Sequence, residues 1–211
     1  MKLEKLIQPN RDDFGKDPFG YSRLAWHKWC AASTLAGYPL DMHRPPTSED
    51  LKNPVLWLTQ AHAMTEAAVI LVRNEPDLSY LPNILRGMCD SQYCAIALML
   101  VGYSLEICLK GMLIIKKGIQ TYQAEEKKHL HHRLDKLAEF IPDLSSKDKV
   151  ILQILTHFVS WAGRYPDPGS GREDNAEDIF RLSEKYRIAA KDLFKLAARV
   201  MGHVKQMTEA L

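Results

Sequence analysis

Apolar residues recur along most of this chain at steps of three and four, the spacing that lines one face of a helix. The clearest case lies between residues 90 and 117, where Leu98, Val101, Leu105, Cys108, Met112 and Ile115 form a stripe with further apolar residues beside it. A helix that is apolar beyond one stripe is covered on several sides, so this segment is expected to be the central helix. Residues 54–73 place Leu58, Ala61, Thr65, Ala68 and Leu71 with Val72 on one face, directly after Asn53 and Pro54. Asparagine caps free N–H groups and proline suits the first helical position, so the start of this helix is signalled twice.

Further along, Ser145 and Asp148 form an Asp version of the capping box, which opens a helix over about 147–163. The segment GRYPDPGSGRED stops it, since no helix continues through that run of proline and glycine. A last helix over 176–207 carries Leu182, Tyr186, Ala189, Leu193, Leu196, Val200, His203 and Met207 at alternating steps of four and three, a heptad seam. Shorter helices are expected at 21–35 and 131–140. Residues 1–18, interrupted by Pro9, Gly15 and Pro18, read as an extended arm; 37–53 read as linker and 74–89 as a loop. No run alternates like a strand and no repeat of solenoid length is visible, so the expected class is all-α.

The 211 residues, 46% hydrophobic and 26% charged, suffice for one sizeable core. A net charge of +2 is too small to point to nucleic acid or membrane, so any basic surface has to be argued locally. The N-terminal MKLEKLIQPNRDDFG lacks the apolar run and cleavage site of a secretory signal. The longest apolar run, Cys94 to Leu105, falls short of the roughly 18 to 20 residues that span a bilayer. A cytoplasmic protein with no membrane partner is therefore expected. Cys30, Cys89, Cys94 and Cys108 lack metal-type spacing and read as small buried hydrophobes; no metal and no cofactor is expected.

Within the central stretch VGYSLEICLKGML, Glu106 and Lys110 are the charged exceptions. At four residues apart they have the favourable ion-pair order, worth about 0.2 to 0.5 kcal/mol on an exposed face. That is too little to explain two charges on a core helix. If buried, each needs further partners, and Tyr103, a histidine of the KKHLHHRL segment (His129, His131, His132) or Arg164 are the candidates. His157, Trp161 and Arg164, spaced by four and three, share a helical face, and Arg164 at the helix end either anchors the last carbonyls or presents its guanidinium to an anion. Arg187, Lys191, Lys195 and Arg199 form a basic stripe that reads as a solvated face, with phosphate contact as the alternative.

These segments resemble the HEPN family of helical nucleotide-binding domains. The family's Y-x-x-E-x-x-x-K-like helix is met by Tyr103, Glu106 and Lys110; its histidine-led H-x-L-x-x-L turn by His132, Leu134 and Leu137; its W-x-x-R-Y-P-like segment by Trp161, Arg164, Tyr165 and Pro166. The likeness spans about residues 53–207. It implies an up-and-down bundle of four to five main helices over 53–211, preceded by an N-terminal arm and helical extension over 1–52. It also implies a homodimer, binding of nucleotide, RNA or a nucleotidyltransferase-like protein, and roles in toxin-antitoxin, defence or stress systems. The expected ligand-binding residues are Tyr103, Glu106, Lys110, His129, His132, Trp161, Arg164 and Tyr165. The nuclease branch of the family carries an arginine followed four to six residues later by a histidine, and no arginine here has one. A metal-independent endoribonuclease would have to use Arg164 with a displaced His157 or His132, and a purely structural or interaction role is the third reading.

Overall fold

The computed structural model describes residues 3–209, and every regular element among them is helical. The chain divides into two units at Leu56. Among its described residues the first contains four short α-helices, α1 (Leu3–Ile7), α2 (Arg11–Lys16), α3 (Pro18–Ser22) and α4 (Ala25–Leu35), and a 3-10 turn at Asp50–Lys52. The arm expected over 1–18 is thus largely wound into short helices, with breaks at 8–10 and 17; residues 1 and 2 lie outside the described residues. Pro9 and Pro18 do not prevent this, because each break supplies a cap: Asn10 Oδ1 accepts from Asp12 N at 3.1 Å and Asp17 Oδ1 from Gly20 N at 2.8 Å. In the segment after α4, Arg44 pairs bidentately with Asp50, at 2.6 and 3.0 Å.

The second unit runs from Trp57 and is built on α5 (Pro54–Arg73) and α6 (Asn83–Lys117). Asn53 caps α5 as its sequence indicates, its Oδ1 accepting from Val55 N at 2.9 Å. The central helix starts earlier than expected: α6 begins at Asn83, so the loop read over 74–89 ends at Pro82. Gly87, inside the segment read as loop, sits on an exposed turn with open space around it, where a glycine costs the helix only about 1 kcal/mol. Leu105, Cys108 and Met112 of the expected stripe are fully enclosed, and so are Leu109 and Ile114 off it. That all-round burial makes α6 the core helix.

After α6 come α7 (Ile119–Ala124), α8 (Glu126–His129) and the single turn α9 (Leu134–Leu137). The helix expected over 131–140 shrinks to that turn, because His131 to Arg133 run outside helical structure and Leu134 N donates to Thr156 Oγ1 of the next helix instead. That helix, α10 (Ser146–His157), opens on the complete Ser145–Asp148 capping box. It continues into a π turn over Phe158–Ala162, marked by Gly163 N donating to Phe158 O.

The last expected helix is two, α11 (Asp174–Lys185) and α12 (Ala190–Glu209). The chain bends at Arg187, whose φ is 46°. Apolar spacing did not reveal the bend because its polar backbone is satisfied by side chains: Lys147 Nζ donates to Arg187 O at 3.0 Å, and Asp192 accepts from Ala189 N. Full burial along the seam therefore begins at Leu193, with Leu196 and Val200, while Leu182 and Tyr186 are half-buried. The basic stripe is broken as well, since Arg187 lies in the bend and Arg199 pairs with Asp148 of α10.

By length and composition, α5 and α6 could each cross a membrane, which the contiguous-run reading missed; most of that stretch of α6 is buried inside the unit. Cys30 and Cys108 are buried as expected, whereas Cys94 is exposed.

Candidate functional site

Two glycines let α6 and the π turn come together. A Cβ on Gly102 would lie 2.5 Å from Val159 Cγ2, and one on Gly163 would lie 2.3 Å from Met99 Cβ. Only hydrogen fits at both places. The close approach brings Tyr103 Oη to Val159 O, to which it donates at 3.3 Å.

One turn further along α6, Glu106 and Lys110 are 5% and 8% exposed. Lys110 Nζ donates to Glu106 Oε1 at 2.8 Å, and His132 Nδ1 reaches Oε2 at 2.9 Å. A carboxylate only accepts, so the second bond places a hydrogen on Nδ1 of His132. The His132 ring stands edge-on to Tyr103, with centroids 6.1 Å apart. Both carboxylate oxygens are thus occupied within the chain, as a buried charge requires.

The rest of the histidine segment continues the cluster. His129 stacks on Tyr122 with centroids 5.3 Å apart and planes 10° apart, and its Nε2 lies 3.2 Å from Lys117 Nζ. Burial first, then the charge of Lys117, holds the His129 imidazole below its ordinary value; burial and Lys110 do the same to His131. Tyr122 is pushed up to about 12 by burial and by the nearby carboxylates of Glu126 and Glu106. Lys117 and Lys128 both bind Glu125, at 2.6 and 2.8 Å, and hold its carboxyl down to about 2.

Beside this network a cleft of about 360 Å³ opens over Leu113, Leu137 and Phe140. Lys116, Lys117, Lys128, Lys136, His129 and His131 line it, against a single acidic residue, Glu139. Sequence reasoning singled out His129 and His131 but not the lysines, nor Tyr122 and Glu125. The available signal was the paired lysines at 116–117 and 127–128, of which Lys116, Lys117 and Lys128 meet in the cleft across α7 and α8.

The W-x-x-R-Y-P-like segment lies apart from this network. Trp161 Nε1 donates to His157 Nδ1 at 3.3 Å, and burial lowers the His157 imidazole from its usual value. Arg164 donates to Ser160 O and lies over the Tyr165 ring at 5.5 Å, so of the two roles open to it the guanidinium takes the carbonyl anchor. It has no ion pair with Glu106 among the described residues. The structure joins Tyr103, Glu106, Lys110 and His132, with His129 adjacent, and keeps Trp161, Arg164 and Tyr165 out of that contact set. Among the described residues, no three His, Cys, Asp or Glu side chains are grouped to hold a metal ion.

Comparison with protein-family models, curated proteins and solved structures finds no match.

Proposed function

We propose that this protein is a HEPN-like helical module that binds the phosphate of a nucleotide or of RNA in the basic cleft beside α7 to α9. One observation carries the reading: four lysines and two histidines line that cleft against one glutamate. Even with Glu125 counted against the lysines, the positive charge is in excess, and phosphate is the anion that rewards several point donors at once. Histidines held neutral supply N–H donors without adding to the repulsion between lysines. Within the proposal Glu106 is a positioning residue: gripping His132, it fixes the segment that presents His129 and His131. A cytoplasmic homodimer, with a nucleotidyltransferase-like protein as a further partner, belongs to the same reading through the family resemblance.

The structural role is the second reading, favoured by the two internal bonds that use up the Glu106 carboxylate. The endoribonuclease reading has less support, because His157 Nδ1 already accepts from Trp161 and Arg164 is engaged by the Ser160 carbonyl.

The test is a titration with ATP and with a short single-stranded RNA at low and moderate salt. Lys116→Gln with Lys136→Gln weakens binding about tenfold or more and flattens the salt dependence. Lys191→Gln with Lys195→Gln, and Arg164→Ala, leave it unchanged. Binding that ignores the first pair, or no binding by the unaltered chain, refutes the proposal and leaves the structural reading.

A further inference from the structure

A second cavity, of about 520 Å³, lies between the C-terminal end of α5, the middle of α6, α10, and the bend joining α11 to α12. It belongs wholly to the unit that begins at Trp57. Its floor is the core itself: Ala97, Val101, Leu155 and Leu193 are all buried. The volume falls within the range of about 300 to 1,000 Å³ typical of small-molecule sites, and the lining is predominantly apolar as such sites are.

The charged groups of this cavity are few and gathered at one end. Tyr93 Oη donates to Asn74 O at 3.3 Å, which ties α6 to the turn that follows α5. Glu75 adjoins Asn74 in sequence and Asp90 precedes Tyr93 by one helical turn, so both carboxylates belong to this end. Among the described residues they are the only charged ones in the lining; both are exposed at its rim, and neither has an ion-pair partner there. The 20-residue α5 terminates here too, bringing the negative end of its dipole, with Arg73 in its last turn outside the lining. Elsewhere in the lining Ile179, Ile188 and Phe194 offer apolar surface beside the hydroxyl of Ser183.

We propose that this cavity binds an amphiphilic cation: an alkyl or aryl chain that ends in an ammonium group. The chain lies along Ile154, Leu193 and Phe194, and the ammonium sits between Glu75 and Asp90. A neutral chain of the same length gains only the apolar contacts, and an anionic one meets two unpaired carboxylates and a helix C-terminus. This site is independent of the basic cleft, whose lysines repel the same ligand.

The experiment titrates the full chain with decylammonium, decanol and decanoate, each below its micelle-forming concentration, and follows the isoleucine methyl resonances. Decylammonium gives saturable single-site shifts at Ile151, Ile154, Ile179 and Ile188, and binds about tenfold more tightly than decanol, with decanoate weakest. Glu75→Gln with Asp90→Asn abolishes the preference and keeps the decanol affinity. Ser183→Trp, which puts an indole into the apolar lining, weakens all three. Equal affinities, a preference for decanoate, an unaltered preference in the double variant, or shifts confined to the exposed Ile70, Ile84 and Ile96 as in detergent coating, would each overturn the assignment.

Discussion

Across 26 residues of sequence, His132 places Nδ1 2.9 Å from Oε2 of Glu106, while Lys110 holds the other oxygen from one turn away on the same helix. The Glu106 and Lys110 side chains are 6% and 10% exposed, and that of His132 is 47% exposed. The histidine is thus the point where a buried ion pair reaches the surface.

Removing one member of the pair leaves the other buried and uncompensated. Lys110→Met is expected to destabilise the protein by about 3 kcal/mol or more, and Glu106→Leu similarly. The double variant Glu106→Leu with Lys110→Met recovers much of that loss, since two apolar side chains then face each other. Urea unfolding of the three variants measures it. A double variant as unstable as the two losses added together would contradict the account.

Gly102 is expected to resist even the smallest substitution. Gly102→Ala gains about 1 kcal/mol in helix propensity but drives a Cβ into Val159, a clash of about 1 to 3 kcal/mol. The net is destabilisation, and the bond from Tyr103 to Val159 O lengthens or breaks. Gly87→Ala, in open space on the same helix, is stabilising by up to about 1 kcal/mol, and thermal melts of the two variants should move in opposite directions.

Acid weakens the fold in a defined window. His129, His131 and His157 all lie below the ordinary value of 6.5 when folded. The unfolded chain therefore takes up protons first as pH falls through 6.5, and the stability present above that value is lost on the acid side. The urea midpoint should fall between about pH 7 and pH 5. In His157→Gln the fall is shallower; a slope unchanged by that substitution argues against His157 as a contributor.

The capping box gives a local check. Ser145→Ala removes the acceptor for Asp148 N and is expected to lower stability by about 1 kcal/mol. Asp148→Ala costs more, because Asp148 also pairs with Arg199 of α12. Equal losses would mean that this link between helices contributes nothing.

Much of this architecture is legible in the sequence where a local rule decides it. Asn53–Pro54 and Ser145–Asp148 mark helix starts through hydrogen bonds made within three residues, and the stripe of α6 needs only its period. The partners of Glu106 were narrowed to three candidates by the cost of a buried charge; the structure supplies the histidine and withholds Arg164. What escaped reading depends on distant groups. The bend at Arg187 is held by Lys147, 40 residues earlier, and nothing in the heptad spacing records it. The basic cleft escaped for the same reason: its lysines converge only because α7 and α8 reverse the chain. Gly87 and Pro18 are residue types that usually break helices, yet an exposed turn tolerates the first and the opening helical position suits the second.

The π turn at Phe158–Ala162 holds one residue more than an α-helical path would need there, and that surplus sets the angular phase of everything after it. Deleting a single residue from the turn would restore the regular ladder and swing the following segment by about 100° around the helix axis. The orientation of the Arg164–Tyr165 segment is therefore written in a residue count, and a length change that conserved every side chain around it would still redirect it.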